Sequence, residues 1–173
     1  LLELAWGRDV RAVGPRAREK SISTERTFSE NVLDRGELDR FVLSASHQCA
    51  RRLRAASLLG WTVVLKLRSG DFKTVTRSRT LAAPTDVGSV VAHAAAQLLA
   101  AEGIPRGGVR LAGVGVSGLV DVDSGVPVLL DDDPRKRVAE QTMDRAKERY
   151  GARALLPASL LRQSESSNNP RSD

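Results

Sequence analysis

Two alternating runs, 61–68 and 72–80, flank Ser69-Gly70-Asp71. Strand side chains point to opposite faces in turn, and a short Gly-containing connection folds one such run back on the other. The pair therefore reads as an antiparallel hairpin, and a chain that carries it must build a sheet. In the first strand Trp61, Val63, Leu65 and Leu67 line one face, with Lys66 and Arg68 on the other. In the second, Val75, Arg77 and Arg79 point one way and Thr74, Thr76 and Ser78 the other. Two arginines two residues apart on one face make a short cationic rail, and the hydroxyls beside them add hydrogen-bond donors, a combination suited to a phosphate backbone.

The flanking segments supply the rest of a domain. Ser21 to Phe28 alternates Ile22, Thr24, Arg26 and Phe28 and suits a strand. Asp34 caps a helix running to about residue 59, with Leu38, Phe41, Val42, Ala45, Cys49, Leu53 and Ala56 at helical spacing and Gly60 as its stop. Pro84-Thr85 opens a second helix of small apolar residues, 90–101, that ends at Gly103. Val109 to Leu119 is a further strand. The order β-α-β-β-α-β predicts an α+β domain: a four-stranded antiparallel sheet with two helices on one face. The other face is left to solvent, and the Arg77/Arg79 rail is expected there together with Lys66 and Arg68.

Outside this core the character changes. Leu1 to Gly7 reads as the end of a helix, so the sequence looks like a piece of something longer. Residues 8–20 carry Arg8, Arg11, Arg16, Arg18 and Lys20 without any period, as a basic linker does. Asp131-Asp132-Asp133-Pro134 caps an amphipathic, highly charged C-terminal helix to Tyr150, stopped by Gly151. Residues 163–173 are polar and expected to be disordered.

Composition narrows the partner. Net charge is +6, which favours a polyanion, while aromatics make up only 3% of the residues, too few for a module that grips nucleic acid by stacking bases. Binding of a backbone by charge remains. Cys49 is the single cysteine, which fits a reducing cytoplasm. No apolar run reaches the roughly 18 residues of a membrane-spanning helix.

Several motifs resemble chemistry without its context. Gly113-Val114-Gly115-Val116-Ser117-Gly118 matches G-x-G-x-x-G, but a dinucleotide site needs those glycines between a strand and a helix, and here they fall inside a strand. Glycine within a strand instead lets another group come close. Asp121-Val122-Asp123 is a D-x-D without further carboxylates to converge on a metal. His47 and Cys49 lack two more ligands for zinc. No metal site and no catalytic residue is assigned.

The segments 20–22, 25–28, 62–68, 71–80 and 109–119 together closely resemble the C-terminal part of Y-family DNA polymerases of the bacterial polymerase IV (DinB) type. The resemblance runs in consistent order from residue 1 to about 120. It implies that 1–10 is a thumb remnant, 11–20 a tether and 21–120 a little finger domain, followed by an extension at 121–162 containing the helix 134–150, and the tail 163–173. The family's little finger lies in the DNA major groove, and its metal carboxylates and steric-gate aromatic belong to the palm and fingers. The resemblance therefore implies a fragment that is inactive by itself and holds no cofactor, from a Mg²⁺-dependent DNA-directed DNA polymerase of damage tolerance. Expected DNA contacts are Arg77, Ser78, Arg79, Thr80, Lys66, Arg68 and Arg110, with Ser21 and Ile22 offering edge N–H groups. The family's clamp-binding peptide corresponds here to Val126, Pro127, Val128, Leu129 and Leu130, a degenerate form without its Gln and aromatic. The expected protein is a bacterial cytoplasmic monomer bound to primer–template duplex; the missing Gln and aromatic count against a sliding clamp as a partner through that peptide. The alternative reading is a protein-interaction module that docks a clamp or repair partner by the open face or the 134–150 helix.

Overall fold

The computed structural model of the chain describes residues 20–125 and 134–151. Strand β1 (Ser21–Val32) is followed by helix α1 (Arg35–Ala55), strands β2 (Leu58–Ser69) and β3 (Thr74–Thr85), helix α2 (Gly88–Glu102), strand β4 (Val109–Asp121) and helix α3 (Pro134–Tyr150). The sheet order is β1-β4-β2-β3, with every neighbouring pair antiparallel. The last strand thus enters the middle, where its small residues suit a position flanked on both sides. α1 packs over β1 and β4, α2 over β2 and β3, and the two helices pack on each other. The α+β architecture is the one the periodicities predict.

The core lies between the helices and one sheet face. Leu38, Val42, Ala45, Cys49 and Leu53 of α1 meet Val91, Ala94, Ala95 and Leu99 of α2, over Val63, Leu65, Leu67, Ala112, Val114 and Val116. Phe41 is half-buried, its ring edge-on to Phe28 at 5.7 Å, whereas Ala56 is exposed. Asp34 caps α1 as expected: Gly36 N and Glu37 N donate to its carboxylate at 2.9 and 3.2 Å. Cys49 is buried, its Sγ 3.4 Å from the Val114 carbonyl, and burial raises its thiol pKa.

Element ends depart from the sequence reading where backbone geometry, not residue type, decides. α1 stops at Ala55 because Ser57 turns into the left-handed region (φ 54°), and Leu58 already belongs to β2. Gly60 is therefore no helix stop. It lies in the sheet, where a Cβ would come 2.1 Å from Val116 Cγ1. β1 continues to Val32 through an irregularity after Thr27. β3 starts at Thr74, not Phe72, because the connection closes with Ser69 N donating to Lys73 O (2.9 Å) and puts Phe72 at φ 64°. β3 also runs on through Pro84-Thr85, expected to open a helix; proline is tolerated because β3 is an edge strand. α2 begins only at Gly88.

That late start leaves α2 without a cap of its own, since Val87 at its N-cap offers no side-chain acceptor. Glu140 of α3 supplies it. Gly88 N and Ser89 N donate to its carboxylate at 2.7 and 3.1 Å, and Arg54 of α1 donates to it at 2.7 Å. Arg54 also donates to Asp144 (2.7 Å), and Arg137 donates to Asp86 at 2.7 and 3.0 Å. Glu140 is 7% exposed and the Arg54 side chain 8%, so α3 is fastened to both other helices by desolvated charges.

Breaking a buried ion pair at one end leaves the other charge uncompensated. Glu140→Ala is expected to cost roughly 3 kcal/mol or more in urea unfolding, and a loss below about 1 kcal/mol would show that α3 does not hold this position in solution. His47 sits beside the same cluster, its Nδ1 3.7 Å from Glu140. Burial lowers its pKa, with Lys147 and Arg54 also lowering and Glu140 and Asp144 raising it. The folded state thus keeps the imidazole neutral, while the unfolded chain binds its proton near pH 6.5. The resulting stability is complete above that value and falls away as the pH drops through it towards the lower folded pKa. Melting curves at pH 7.5 and 5.5 should show this loss in the wild type, and a smaller one in His47→Gln.

Candidate nucleic-acid interface

The register settles which side chains share a face. Val63, Leu65 and Leu67 are buried beneath the helices, and they stand opposite Arg79, Arg77 and Val75. Residues paired across a ladder point the same way. Arg77 and Arg79 therefore lie on the helix side of the sheet, and Lys66 and Arg68 on the other: the expected placement of all four on the open face is corrected. The arginines stay solvated because β3 is the edge. Arg77 reaches the end of α2, with Nε 2.7 Å from Glu102 Oε2 and 55% of its side chain exposed. Arg79 donates to Gln97. The signal was available in the sequence, since Val75 is apolar and in phase with both arginines.

The open face is made of four rows. Ser21, Ser117, Thr62 and Thr80 stand side by side across β1, β4, β2 and β3, a line of hydroxyls from edge to edge. The next row is Ser23, Gly115, Val64 and Ser78; then Glu25, Gly113, Lys66 and Thr76; then Thr27, Leu111, Arg68 and Thr74. Among the described residues no other element packs on this face. Ser78 and Thr80, two of the expected contacts, are on it, and Thr80 Oγ1 lies 3.2 Å from Thr62 Oγ1. Arg68 Nε donates to Thr74 Oγ1 at 2.9 Å.

The glycines of the G-x-G-x-x-G match fall inside β4, as strand periodicity requires. Gly113 and Gly115 cut a valley along the middle of the face: a Cβ on Gly113 would come 2.7 Å from Glu25 Cγ, and one on Gly115 3.3 Å from Ser23 Cβ. A groove of about 250 Å³ results, bordered by Ser21, Ser23, Glu25, Lys66, Thr76 and Ser117. Across it Lys66 Nζ donates to both carboxylate oxygens of Glu25, at 3.1 and 2.9 Å. This pair was absent from the sequence reading, because only the strand order brings residues 25 and 66 over the same glycine.

The remaining expected sites divide. Ser21 and Ile22 open β1, the other edge strand, but the Ile22 side chain is buried, so only its backbone can face a ligand. Arg110 donates to the Ser29 carbonyl at 2.6 Å and holds the irregular part of β1. Asp121 ends β4, its carbonyl accepting from Ser124 N at 3.1 Å. His47 and Cys49 face different neighbours, Glu140 for the one and Thr24 and Val114 for the other. The thumb remnant 1–10, all of the tether before residue 20, the clamp peptide Val126–Leu130, the Asp131–Asp133 cap and the tail 163–173 lie outside the described residues.

Residues 19–127 match the impB/mucB/samB family C-terminal domain. DNA polymerase IV of Streptomyces coelicolor is 48% identical over 121 residues, 70% of this chain and 25% of the relative. DNA polymerase IV of Caulobacter vibrioides is 35% identical over 164 residues, 94% of this chain and 40% of the relative. The chain thus spans between a quarter and two fifths of these relatives' length. Among solved structures, one titled as a complex of the beta-clamp processivity factor and the little finger domain of PolIV aligns with a TM-score of 0.49 at 24% identity, over 64% of this chain and 97% of that one.

The assignment of faces is testable without any ligand. A double-mutant cycle between Arg77 and Glu102 should give a coupling of roughly 0.2–1 kcal/mol, as exposed ion pairs do. A cycle between Arg77 and Glu25, on opposite faces, should give none within error. The reverse pattern in urea titrations would put the rail on the open face.

Proposed function

Since the chain belongs to the impB/mucB/samB family as its C-terminal domain, we propose that it holds duplex DNA by the phosphate backbone, along the two edges of its open sheet face. It is a little finger of the Y-family DNA polymerase IV type. The observation that carries the proposal is the unbroken row of hydroxyls, Ser21 to Thr80, across an uncovered four-stranded face. Three strand spacings make the sheet about 14 Å wide, close to the roughly 12 Å of a major groove. A duplex seated on it brings one phosphate strand to each outer β-strand.

On the β3 side Ser78 and Thr80 donate from the open face, and the Arg77 and Arg79 guanidiniums come round the free edge from below. On the β1 side Ser21 and the backbone N–H groups at the strand's start meet the opposite phosphates. Arg68 adds positive charge between them, while Lys66 is held by the Glu25 carboxylate. Phosphate contacts of this kind position a duplex without reading its sequence, which suits a surface that must travel along any template. The polymerase to which such a domain belongs transfers nucleotides past damaged bases with Mg²⁺. Among the described residues no group of three His, Cys, Asp or Glu side chains is placed to hold a metal ion.

Fluorescence anisotropy with a labelled duplex tests the reading. Affinity should be micromolar or weaker at physiological salt and fall with a log–log slope of several units. Arg77→Ala with Arg79→Ala should lower the slope by about 2, at roughly 0.9 per phosphate. Arg145→Ala with Arg149→Ala on α3 removes equal charge and should leave the slope nearly unchanged. Equal losses in both variants would reduce the effect to net charge. Binding insensitive to salt would favour an apolar docking surface instead, for which Phe72, 72% exposed at the hairpin tip, is one anchor beside Leu33, Val138 and Tyr150.

A further inference from the structure

A surface that meets phosphates has little use for a carboxylate in its middle, yet Glu25 stands there. It is the single acidic side chain among the sixteen positions of the four open-face rows. β1 and β2 lie on either side of β4, roughly 10 Å apart, and ordinarily a side chain on the strand between would keep their residues from touching. Gly113 removes that side chain. Glu25 lies down in the gap, against the place a Cβ would take, and its two oxygens bind Lys66. Ser23, Ser117 and Thr76 border the same groove. The floor is apolar, formed by Val64 and the β4 glycines, but a carboxylate held there by an ammonium beside three hydroxyls marks a place that a small oxyanion can take.

We propose that this groove is a phosphate-binding site, formed by Lys66 and the β4 glycine valley, and that Glu25 fills it as an internal competitor. The inference rests on the DNA-backbone reading of the same face and names a site within it. With Glu25 in place, Lys66 is neutralised and the centre of the face adds little to the grip. The domain then holds DNA mainly by its edges, weakly enough to slide. Both partners are about one third exposed, so the carboxylate can swing out when a phosphate displaces it. Glu25 is thus a determinant of how tightly, rather than whether, the duplex is held.

The test uses the whole chain and two probes. With a labelled duplex, Glu25→Gln should bind about fivefold more tightly at fixed salt, and its salt slope should steepen by about 0.9, the value of one added phosphate contact. The gain should vanish in Glu25→Gln/Lys66→Gln. Glu30→Gln on the same strand removes equal charge outside the groove and should change affinity far less. With inorganic phosphate, the backbone amides of Ser23, Gly113 and Gly115 should shift in NMR spectra of Glu25→Gln, and not in the double variant. Thermal melts verify that each variant is folded. A gain that survives loss of Lys66, or is matched by Glu30→Gln, overturns the proposal. Duplex binding that depends on Arg77 and Arg79, with no phosphate response in Glu25→Gln, overturns the site alone. A phosphate response without duplex binding by any variant keeps the site and rejects the DNA reading.

Discussion

The pairing of β2 with β3 decides what the surface of this domain can do. Val63, Leu65 and Leu67 have to be buried under two helices, and that fixes the face of every residue opposite them. A slip of one position would turn the whole apolar set to water, so the register is held by the core itself. One consequence is that Arg77 and Arg79 are committed to the helix side and reach solvent only because β3 has no outer neighbour. Another is that Thr74, Thr76, Ser78 and Thr80 form an uninterrupted polar row above them. The edge of β3 therefore offers guanidiniums from one side and hydroxyls from the other, with a strand edge between.

The second constraint is the central position of β4. A strand with neighbours on both sides and helices on one face must be apolar inward, and Ala112, Val114 and Val116 meet that need. Its outward positions are free, and two of them are glycine. Those glycines look like a cofactor motif when read along the chain. In the sheet they are the floor over which Glu25 and Lys66 meet. The same atoms that exclude a dinucleotide site create the groove.

Element order, the buried stripe of α1 and the strand nature of 109–119 were legible because they depend on periodicity, which a sequence displays directly. The ends of elements were less so. Ser57 and Phe72 adopt positive φ without being glycine, a choice imposed by the surrounding chain and not by their own preference. The faces of the rail arginines were misassigned because a long charged side chain on an edge strand tolerates either side. The docking of α3 was invisible for a related reason. Glu140 sits among Arg, Lys, Asp and Gln on a highly charged helix, and only the uncapped start of α2 explains its burial. Contacts between residues distant in sequence, such as 25 with 66 and 88 with 140, need the topology before they can be seen.

The central claim is geometric: a duplex lies on the open sheet face between the outer strands, with the helical layer turned away. The most direct measurement is an NMR titration of the isotope-labelled chain with a short duplex of arbitrary sequence. The account predicts that amide resonances of Ser21, Ile22, Gly113, Gly115, Ser78 and Thr80 move together with one binding constant, and that those of α1, α2 and α3 stay in place. Shifts concentrated on the helices, with the sheet face silent, would contradict it.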